Sequence, residues 1–196
     1  MKRLIYVSLF ICLFLCGCKS SYSEPEQTVL ISAIGIDKTD NDTFITLEII
    51  DTQSGGLEYS TKTFQQQAKN VELAFSELQK SVGNKLFAEH CVIVIKGESL
   101  SDFEFLNCLV YLCEAQNVSQ NTKIAETENA NVLLKTKSRT GQAVGFDMVK
   151  ILNLQNCGEC DVYQVLRGLY EKNPPTIPLF TVTNDSYFLE VRNSAE

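Results

Sequence analysis

Two cysteines separated by two residues are the side chains whose spacing most directly suggests chemistry. The segment Cys157-Gly158-Glu159-Cys160 stands just before a predicted helix start at Asp161, with Gln164 three residues on. Backbone N–H groups at a helix N-terminus lower the pKa of a thiol and favour redox chemistry. The alternatives are a local disulfide and two inert thiols in a turn. A thioredoxin-like fold needs a βαβ unit around such a motif and substantial sequence after it, whereas only 36 residues follow Cys160.

The single histidine and a short acidic run are weaker candidates. A general base needs a partner within hydrogen-bond reach, and Glu89, next to His90 along a strand, would point to the opposite face. His90 is therefore predicted to be a structural residue that opens a strand. Asp37, Asp40 and Asp42 have a spacing that hints at Ca²⁺, but the run lacks the glycine and the downstream glutamate of a calcium loop. A solvated hairpin tip is the favoured interpretation.

The sequence carries no other catalytic or cofactor motif. One histidine excludes a multi-histidine metal site, and Cys157, Cys160 and His90 are three ligands far apart in sequence. There is no phosphate-binding glycine loop, no Ser/His/Asp order and no zinc set. We therefore expect no bound metal, no cofactor and no enzyme activity.

The N-terminus predicts a lipid anchor. Lys2 and Arg3 precede an apolar run from Leu4 to Cys16, which is too short to span a bilayer but suits a secretory signal. The following Leu15-Cys16-Gly17-Cys18 resembles a bacterial lipobox, in which Cys18 receives diacylglycerol and becomes the new N-terminus. Two acyl chains anchor a protein stably. The alternatives are a plain secreted protein and a buried N-terminal helix.

These features divide the chain into residues 1–17 as a signal peptide, 18–27 as a polar tether and 28–196 as a single domain. The full sequence has 196 residues, 44% of them hydrophobic, which is enough for a substantial core. Its net charge is −7, and removal of Lys2 and Arg3 with the signal leaves 15 basic and 24 acidic residues, a net charge of −9. That charge argues against nucleic acid and against a basic membrane-binding patch.

Five cysteines remain after processing, so at least one thiol is unpaired or pairs between chains. Cys91 lies in a strand-like run and is predicted to be a small core residue. Cys108 and Cys113 lie five residues apart on one helix, which makes their mutual pairing unfavourable.

Hydrophobic periodicity predicts an α+β fold with a mixed, largely antiparallel sheet flanked by helices. Gly35, inside the first strand, indicates a bulge or close packing against a helix, with a ligand contact as the alternative. Ser101 and Glu104 form a capping box, and Gly83 ends a helix. The predicted strands are Val29–Asp37, Thr43–Ile50, Leu57–Phe64, Cys91–Ile95, 122–125, Ile177–Thr183 and Tyr187–Val191. The predicted helices are 65–82, one opening at Ser101, 128–136, 142–154 and 161–171.

Several of these segments together resemble a known family. The lipobox is followed by Ile34-Gly35-Ile36-Asp37-Lys38, then by an amphipathic helix and the run from Lys85 to Glu98 (KLFAEHCVIVIKGE). Their order and spacing, over about residues 10–183, resemble the N-terminal domain of the Ger(x)C family, the C-subunit lipoproteins of spore germinant receptors. Family members usually carry Trp-Asp after the lipidated cysteine, where this chain has Lys19-Ser20.

The resemblance implies a non-enzymatic accessory protein held by lipid on the outer face of the inner spore membrane. Its partners would be the integral-membrane A- and B-type receptor subunits, and its role would be to act as a scaffold. Two other functions stay open on the sequence alone. One is an orphan membrane lipoprotein with no germination role, and the other is a lipid-tethered thiol oxidoreductase that uses Cys157 and Cys160.

Overall fold

The computed structural model describes residues 28–51, 60–157, 160–184 and 186–190. The predicted signal peptide, Cys18 and the tether lie outside the described residues. The side chains of Thr28 and Asp51 are likewise not described.

The described residues form eight strands, which are β1 (Thr28–Thr39), β2 (Asp42–Asp51), β3 (Ser60–Ala68), β4 (Lys85–Phe87), β5 (Ile93–Gly97), β6 (Lys123–Thr127), β7 (Leu179–Thr183) and β8 (Ser186–Glu190). They make one mixed sheet in the order β3-β2-β1-β5-β6-β7-β8, with β4 pairing beside β1. The pairings β1–β2, β2–β3 and β7–β8 are antiparallel, and those of β1 with β4 and β5, of β5 with β6 and of β6 with β7 are parallel. Both predicted hairpins are present, and the α+β prediction is confirmed.

In the part of the chain that the structure describes, five helices cover the two faces of this sheet. They are α1 (Val71–Val82), α2 (Asp102–Gln116), α3 (Ala130–Leu134), α4 (Val144–Leu154) and α5 (Val162–Tyr170). Residues of α1, α2 and α5 share one apolar cluster with the isoleucines of β1 and β2, and residues of α3 and α4 share another with β5, β7 and β8.

Strand β5 is buried along its whole length because it lies mid-sheet between the two helical layers. Val94 packs on the side of α1 and α2, whereas Ile93 and Ile95 pack on the side of α3 and α4. This agrees with the uninterrupted apolar run that predicted a central strand.

Several predicted helix ends are confirmed. Ser101 and Glu104 form the capping box of α2, and Asp161 accepts from the backbone N–H of Gln164 at the start of α5. Gly83 ends α1 with φ of 73°, a left-handed conformation that glycine adopts without strain.

Several predicted boundaries differ from the structure. The central strand runs from Ile93 to Gly97 and not from Cys91 to Ile95, and the strand expected from Ile177 begins at Leu179. The helix expected from residue 65 begins at Val71, because residues 65–68 extend β3 and pair with β2. The tertiary pairing overrides local helix propensity there. The strand expected over Leu57–Phe64 continues to Ala68 in β3, and residues 57–59 lie outside the described residues. The helix expected over 128–136 is shortened to α3, whose first N–H groups donate to its own N-cap Asn129 and to Asp37 of β1.

Gly35 lies in close contact with α3, as one of the two sequence interpretations predicted. A Cβ atom at this position would come within 2.9 Å of the Cβ of Ala130. The β-bulge of β1 lies elsewhere, between Ile31 and Ala33.

Candidate functional site

The cysteine pair connects the end of α4 to the start of α5, and its two thiols differ in environment. Cys160 is 6% exposed, its carbonyl accepts from Ile124 of β6, and burial raises the pKa of its thiol to about 12. Cys157 is half-buried, with its thiol 3.5 Å from the carbonyl oxygen of Gln155. Both are free thiols in the structure, and the two residues between them lie outside the described residues. A raised pKa lowers the thiolate fraction of Cys160, whereas redox catalysis needs a high thiolate fraction. The disulfide and the redox interpretations of the cysteine pair stay predictions.

The other three cysteines lie in or against the core. Cys91 is 4% exposed and donates to the carbonyl of Ile93 at 3.2 Å, which confirms it as a small core residue. Cys108 and Cys113 on α2 are free thiols, buried and half-buried respectively.

His90 lies on the surface three residues before β5, with its ring 5.4 Å from that of Phe87.

Asp37 is a buried helix cap, so the prediction that it lies in a solvated turn is wrong. Its carboxylate is 4% exposed and accepts from the backbone N–H groups of Ala130 and Asn131, both at 2.9 Å. Burial raises the pKa of Asp37, and these two hydrogen bonds oppose the rise. A Cβ atom at Gly97 would overlap the same carboxylate, so glycine is needed where β5 passes it.

Glu48 caps α4 from strand β2 and was not found from the sequence. The helix begins after Ala143, which has no side chain that can cap it. Glu48, 1% exposed, accepts instead from Val144 N–H at 2.6 Å and Gly145 N–H at 3.0 Å, and from the Ser32 hydroxyl at 2.8 Å. Burial raises the pKa of Glu48, and these hydrogen bonds oppose the rise. A glutamate inside an alternating strand was the one sequence signal for this contact.

Asp147 organises the loop that joins α3 to α4. It accepts from Ser138 and Thr140 hydroxyls at 2.7 and 2.6 Å, from Arg139 N–H at 2.9 Å and from the Tyr187 hydroxyl at 3.0 Å. Burial by itself would raise the pKa of Asp147, but the hydrogen bonds together lower it below its usual value. The hydrogen bonds of all three buried carboxylates therefore hold the α3 and α4 layer to the sheet.

An open groove of about 830 Å³ lies beside the cysteine pair. One wall is α5, through Tyr163 and Arg167, and the other is the segment 173–178. Gly168 lets the two approach, since a Cβ atom there would come within 2.7 Å of Pro175. Arg167 is ion-paired to Glu171 at 3.0 Å, so its charge is balanced.

The outward face of α2 carries four apolar residues among polar ones, Phe103, Leu106, Val110 and Cys113, and we call these four the α2 seam. Phe103 is 72% and Val110 38% exposed, and Leu106 and Cys113 are half-buried. The opposite face of the helix supplies Phe105, Cys108, Leu109 and Leu112 to the core.

Metal-site and membrane-span features are not found in the described residues. There, no group of three or more His, Cys, Asp or Glu side chains is placed to hold a metal ion. Within the same ranges, no helix has both the length and the apolarity that crossing a bilayer requires.

Comparison with known families decides the identity of the chain. The model of the spore germination protein N-terminal domain matches residues 21–182, well over half of the sequence. The chain belongs to this spore germination protein family. No curated protein and no solved structure matches it in the same kind of comparison.

Four residues of the segments 34–38 and 85–98, Asp37, Lys38, Lys96 and Gly97, lie at the carboxyl ends of β1 and β5 in this germination protein. Besides Asp37 and Gly97, Lys38 is ion-paired to Glu104 of the α2 capping box, which lowers the pKa of Glu104 to about 2. Lys96 is ion-paired to Glu126 at 2.7 Å and to Asp102 at 3.3 Å. These contacts join the ends of the strands to the starts of the helices, so these residues stabilise the fold.

Proposed function

We propose that this germination protein is a lipid-anchored, non-catalytic accessory subunit of a spore germinant receptor. Cys18 would hold the α+β domain at the outer face of the inner spore membrane. There the domain would bind integral-membrane A- and B-type subunits and act as a scaffold.

The family match over residues 21–182 is the observation that carries this proposal. It spans almost all of the described sheet and helices, so the germination assignment rests on the folded domain and not on the signal segment. The lipobox at Leu15–Cys18 supports the anchor, since two acyl chains give stable membrane attachment.

The placement of the buried carboxylates supports a non-catalytic role. A general acid or base must reach a substrate proton through a hydrogen bond. Asp37, Glu48 and Asp147 each direct their oxygens to backbone N–H groups or to hydroxyls inside the fold. Their chemistry is accounted for by helix capping and loop closure.

The test is a Cys18→Ala variant expressed from the native locus, with Cys12→Ala as the matched control within the predicted signal. Spores of each strain are separated into membrane and soluble fractions and immunoblotted, and their germination is followed by loss of optical density. We expect Cys18→Ala to leave the spore membrane fraction and germination to slow markedly. Cys12→Ala should behave as wild type, because it keeps an apolar residue in the signal.

Two results would contradict the proposal. An unchanged membrane fraction for Cys18→Ala would refute the lipid anchor. Normal germination in a strain that lacks the protein altogether, together with its presence in growing cells, would instead favour an orphan lipoprotein.

A further inference from the structure

We propose that Cys157 and Cys160 form an intramolecular disulfide in the exported protein, and that this bond is structural and not catalytic. The bond would join the end of α4 to the start of α5, and so connect the helical layers on the two faces of the sheet. This inference rests on the proposed function only in placing the domain outside the cytoplasm, where disulfides form and persist.

The positions of the two cysteines suit such a bond. Residues three positions apart can approach as closely as the ends of a β-turn, whose Cα atoms lie less than about 7 Å apart. A disulfide needs Cα atoms about 4.4–6.8 Å apart. Both cysteines line the same groove. Burial is the main cause of the raised pKa of the Cys160 thiol, and Cys157 lies close enough to add to that rise.

Backbone hydrogen bonds fix the chain on each side of the pair. The N–H of Cys157 donates to the carbonyl of Leu152 at 3.0 Å, which closes the last turn of α4. The carbonyl of Cys160 accepts from the N–H of Ile124 in β6, also at 3.0 Å. Both ends of the connection are therefore held by the fold before any bond forms between the thiols.

The bond would reinforce the sheet at a point that β7 does not reach. Strand β7 pairs with β6 only at Glu126 and Thr127, whereas Asp161 forms a bridge with Lys123 at the start of β6. Next to this bridge, Cys160 belongs to the apolar cluster of α1, α2 and α5, and Cys157 packs against the cluster of α3 and α4. A disulfide here would link the two clusters covalently.

The environment of Cys160 favours a disulfide over a catalytic dithiol. In an oxidising oxidoreductase, a stabilised thiolate favours the reduced form of the pair. Burial instead raises the pKa of Cys160 to about 12, so its thiolate is not stabilised and the equilibrium moves towards the oxidised form. Cys160 is only 6% exposed, which protects its sulfur from reductants once the bond has formed.

The bond forms through two thiol–disulfide exchanges, with an organic disulfide RSSR as the oxidant. The thiolate of Cys157, which is half-buried in the open groove, attacks one sulfur of RSSR, breaks the S–S bond and releases RS⁻. The sulfur of Cys160 then loses its proton to solvent and attacks Sγ of Cys157, and a second RS⁻ leaves. Two protein thiols are oxidised by two electrons, and RSSR is reduced to two RSH, which take up the two protons.

The experiment is thiol mapping of the full-length protein solubilised from spore membranes. The protein is unfolded, alkylated, digested with trypsin and analysed by mass spectrometry, with and without prior reduction by a phosphine. Cys157 and Cys160 lie in one tryptic peptide, 151–167, which a bond between them makes lighter by two hydrogen atoms. We expect this lighter peptide without reduction, whereas Cys91, Cys108 and Cys113 should be alkylated without reduction.

Thermal unfolding followed by circular dichroism gives a second readout. The phosphine should lower the melting temperature of the wild type by about 4 °C or more, because the bond no longer restricts the unfolded chain. Cys113→Ser, at a half-buried thiol on α2, is the matched control and should keep both the lighter peptide and this shift. Cys157→Ser should lose both.

Four outcomes overturn the inference. Three are free thiols at both positions in the unreduced spore protein, a disulfide between two copies of the chain, and a stable mixed disulfide at Cys157. The fourth is acceleration of the dithiothreitol-driven reduction of insulin by the wild type, which would establish a thiol oxidoreductase. If one of these holds while Cys18→Ala leaves the spore membrane fraction, the disulfide is wrong and the proposed function stands. If Cys18→Ala leaves anchoring and germination intact, the proposed function fails whatever the state of the cysteine pair.

Discussion

At the scale of single residues, a carboxylate that is buried on folding loses water and gains hydrogen bonds from the protein. The balance between these two effects on the pKa differs among Asp37, Glu48 and Asp147, the three carboxylates buried in the described part of the chain. Burial prevails at Asp37 and Glu48, whose pKa values are raised. Hydrogen bonds prevail at Asp147, whose pKa is lowered. Stability should therefore depend on pH with opposite sign at Glu48 and Asp147.

Replacing Glu48 by Gln should reveal this dependence. A raised pKa means that the folded protein binds the proton more strongly than the unfolded chain. The contribution of Glu48 to the free energy of unfolding is therefore largest in acid and falls as pH rises through the interval above the ordinary value of 4.5. We expect the free energy of unfolding of wild type minus that of Glu48→Gln to fall over this interval, as measured by urea denaturation.

Asp147→Asn is the control with the opposite sign. Because the pKa of Asp147 is lowered, its stabilisation is present above its ordinary value of 3.8 and is lost as pH falls. The wild-type minus Asp147→Asn difference should rise with pH. Parallel slopes for the two variants would contradict this assignment of the carboxylates.

At the scale of elements, helix starts in this domain are stabilised both locally and from a distance. Helix α2 is capped by its own Ser101 and Glu104, and the sequence predicted it. Helix α4 is capped by Glu48, which is 96 residues from Val144 in sequence. Pattern reasoning finds the first kind of cap because its residues are three apart, and misses the second because only the folded sheet brings the partners together.

Helix α5 offers a test of element packing at Gly168. In an exposed helix interior, Gly→Ala stabilises by about 1 kcal/mol. Here the added methyl would come within 2.7 Å of Pro175 and 2.8 Å of the carbonyl oxygen of Asn173. We expect Gly168→Ala to destabilise by about 1–3 kcal/mol, because the segment 173–178 must move away from α5. Thermal unfolding followed by circular dichroism measures the change.

Gln164→Ala, one turn earlier on α5, is the matched control and should change stability by less than about 0.5 kcal/mol. If Gly168→Ala raised the melting temperature, the close packing of the proline segment against α5 would be contradicted.

At the scale of the whole molecule, the central strand of the sheet is buried and the β8 edge is covered by an arginine side chain. Strand β5 lies between β1 and β6 and is covered on both faces. At the β8 edge, the guanidinium of Arg139 donates to the carbonyl of Tyr187 and lies 5.1 and 5.0 Å from the ring centres of Tyr187 and Phe188. Arg139 belongs to the segment between α3 and α4, and a charged residue that covers an edge strand discourages pairing with another chain.

Native-state hydrogen exchange should follow this arrangement. Amides of Val94 and Ile95 should exchange most slowly, through global unfolding, because β5 is buried on both faces and paired on both sides. Amides in β8 should exchange faster, through local opening at the edge. Equal protection of β5 and β8, measured by NMR, would contradict this order.

The sequence alone determined the features that depend on near neighbours in the chain. These are both hairpins, the central strand, the α2 capping box and the family resemblance, while the lipid anchor at Cys18 stays a prediction. Periodicity and capping act over a few residues, so they can be read without knowing the fold.

Only the tertiary structure decided what depends on distant residues. Asp37, predicted in a solvated turn, is a buried cap on α3, and Glu48 of β2 caps α4. Residues 65–68, predicted to begin a helix, belong to β3 instead. The tertiary structure also separated the apolar residues of α2 into a core face and the exposed α2 seam. The physical reason is that burial and hydrogen bonding between strands and helices are set by the sheet order, which no local pattern contains.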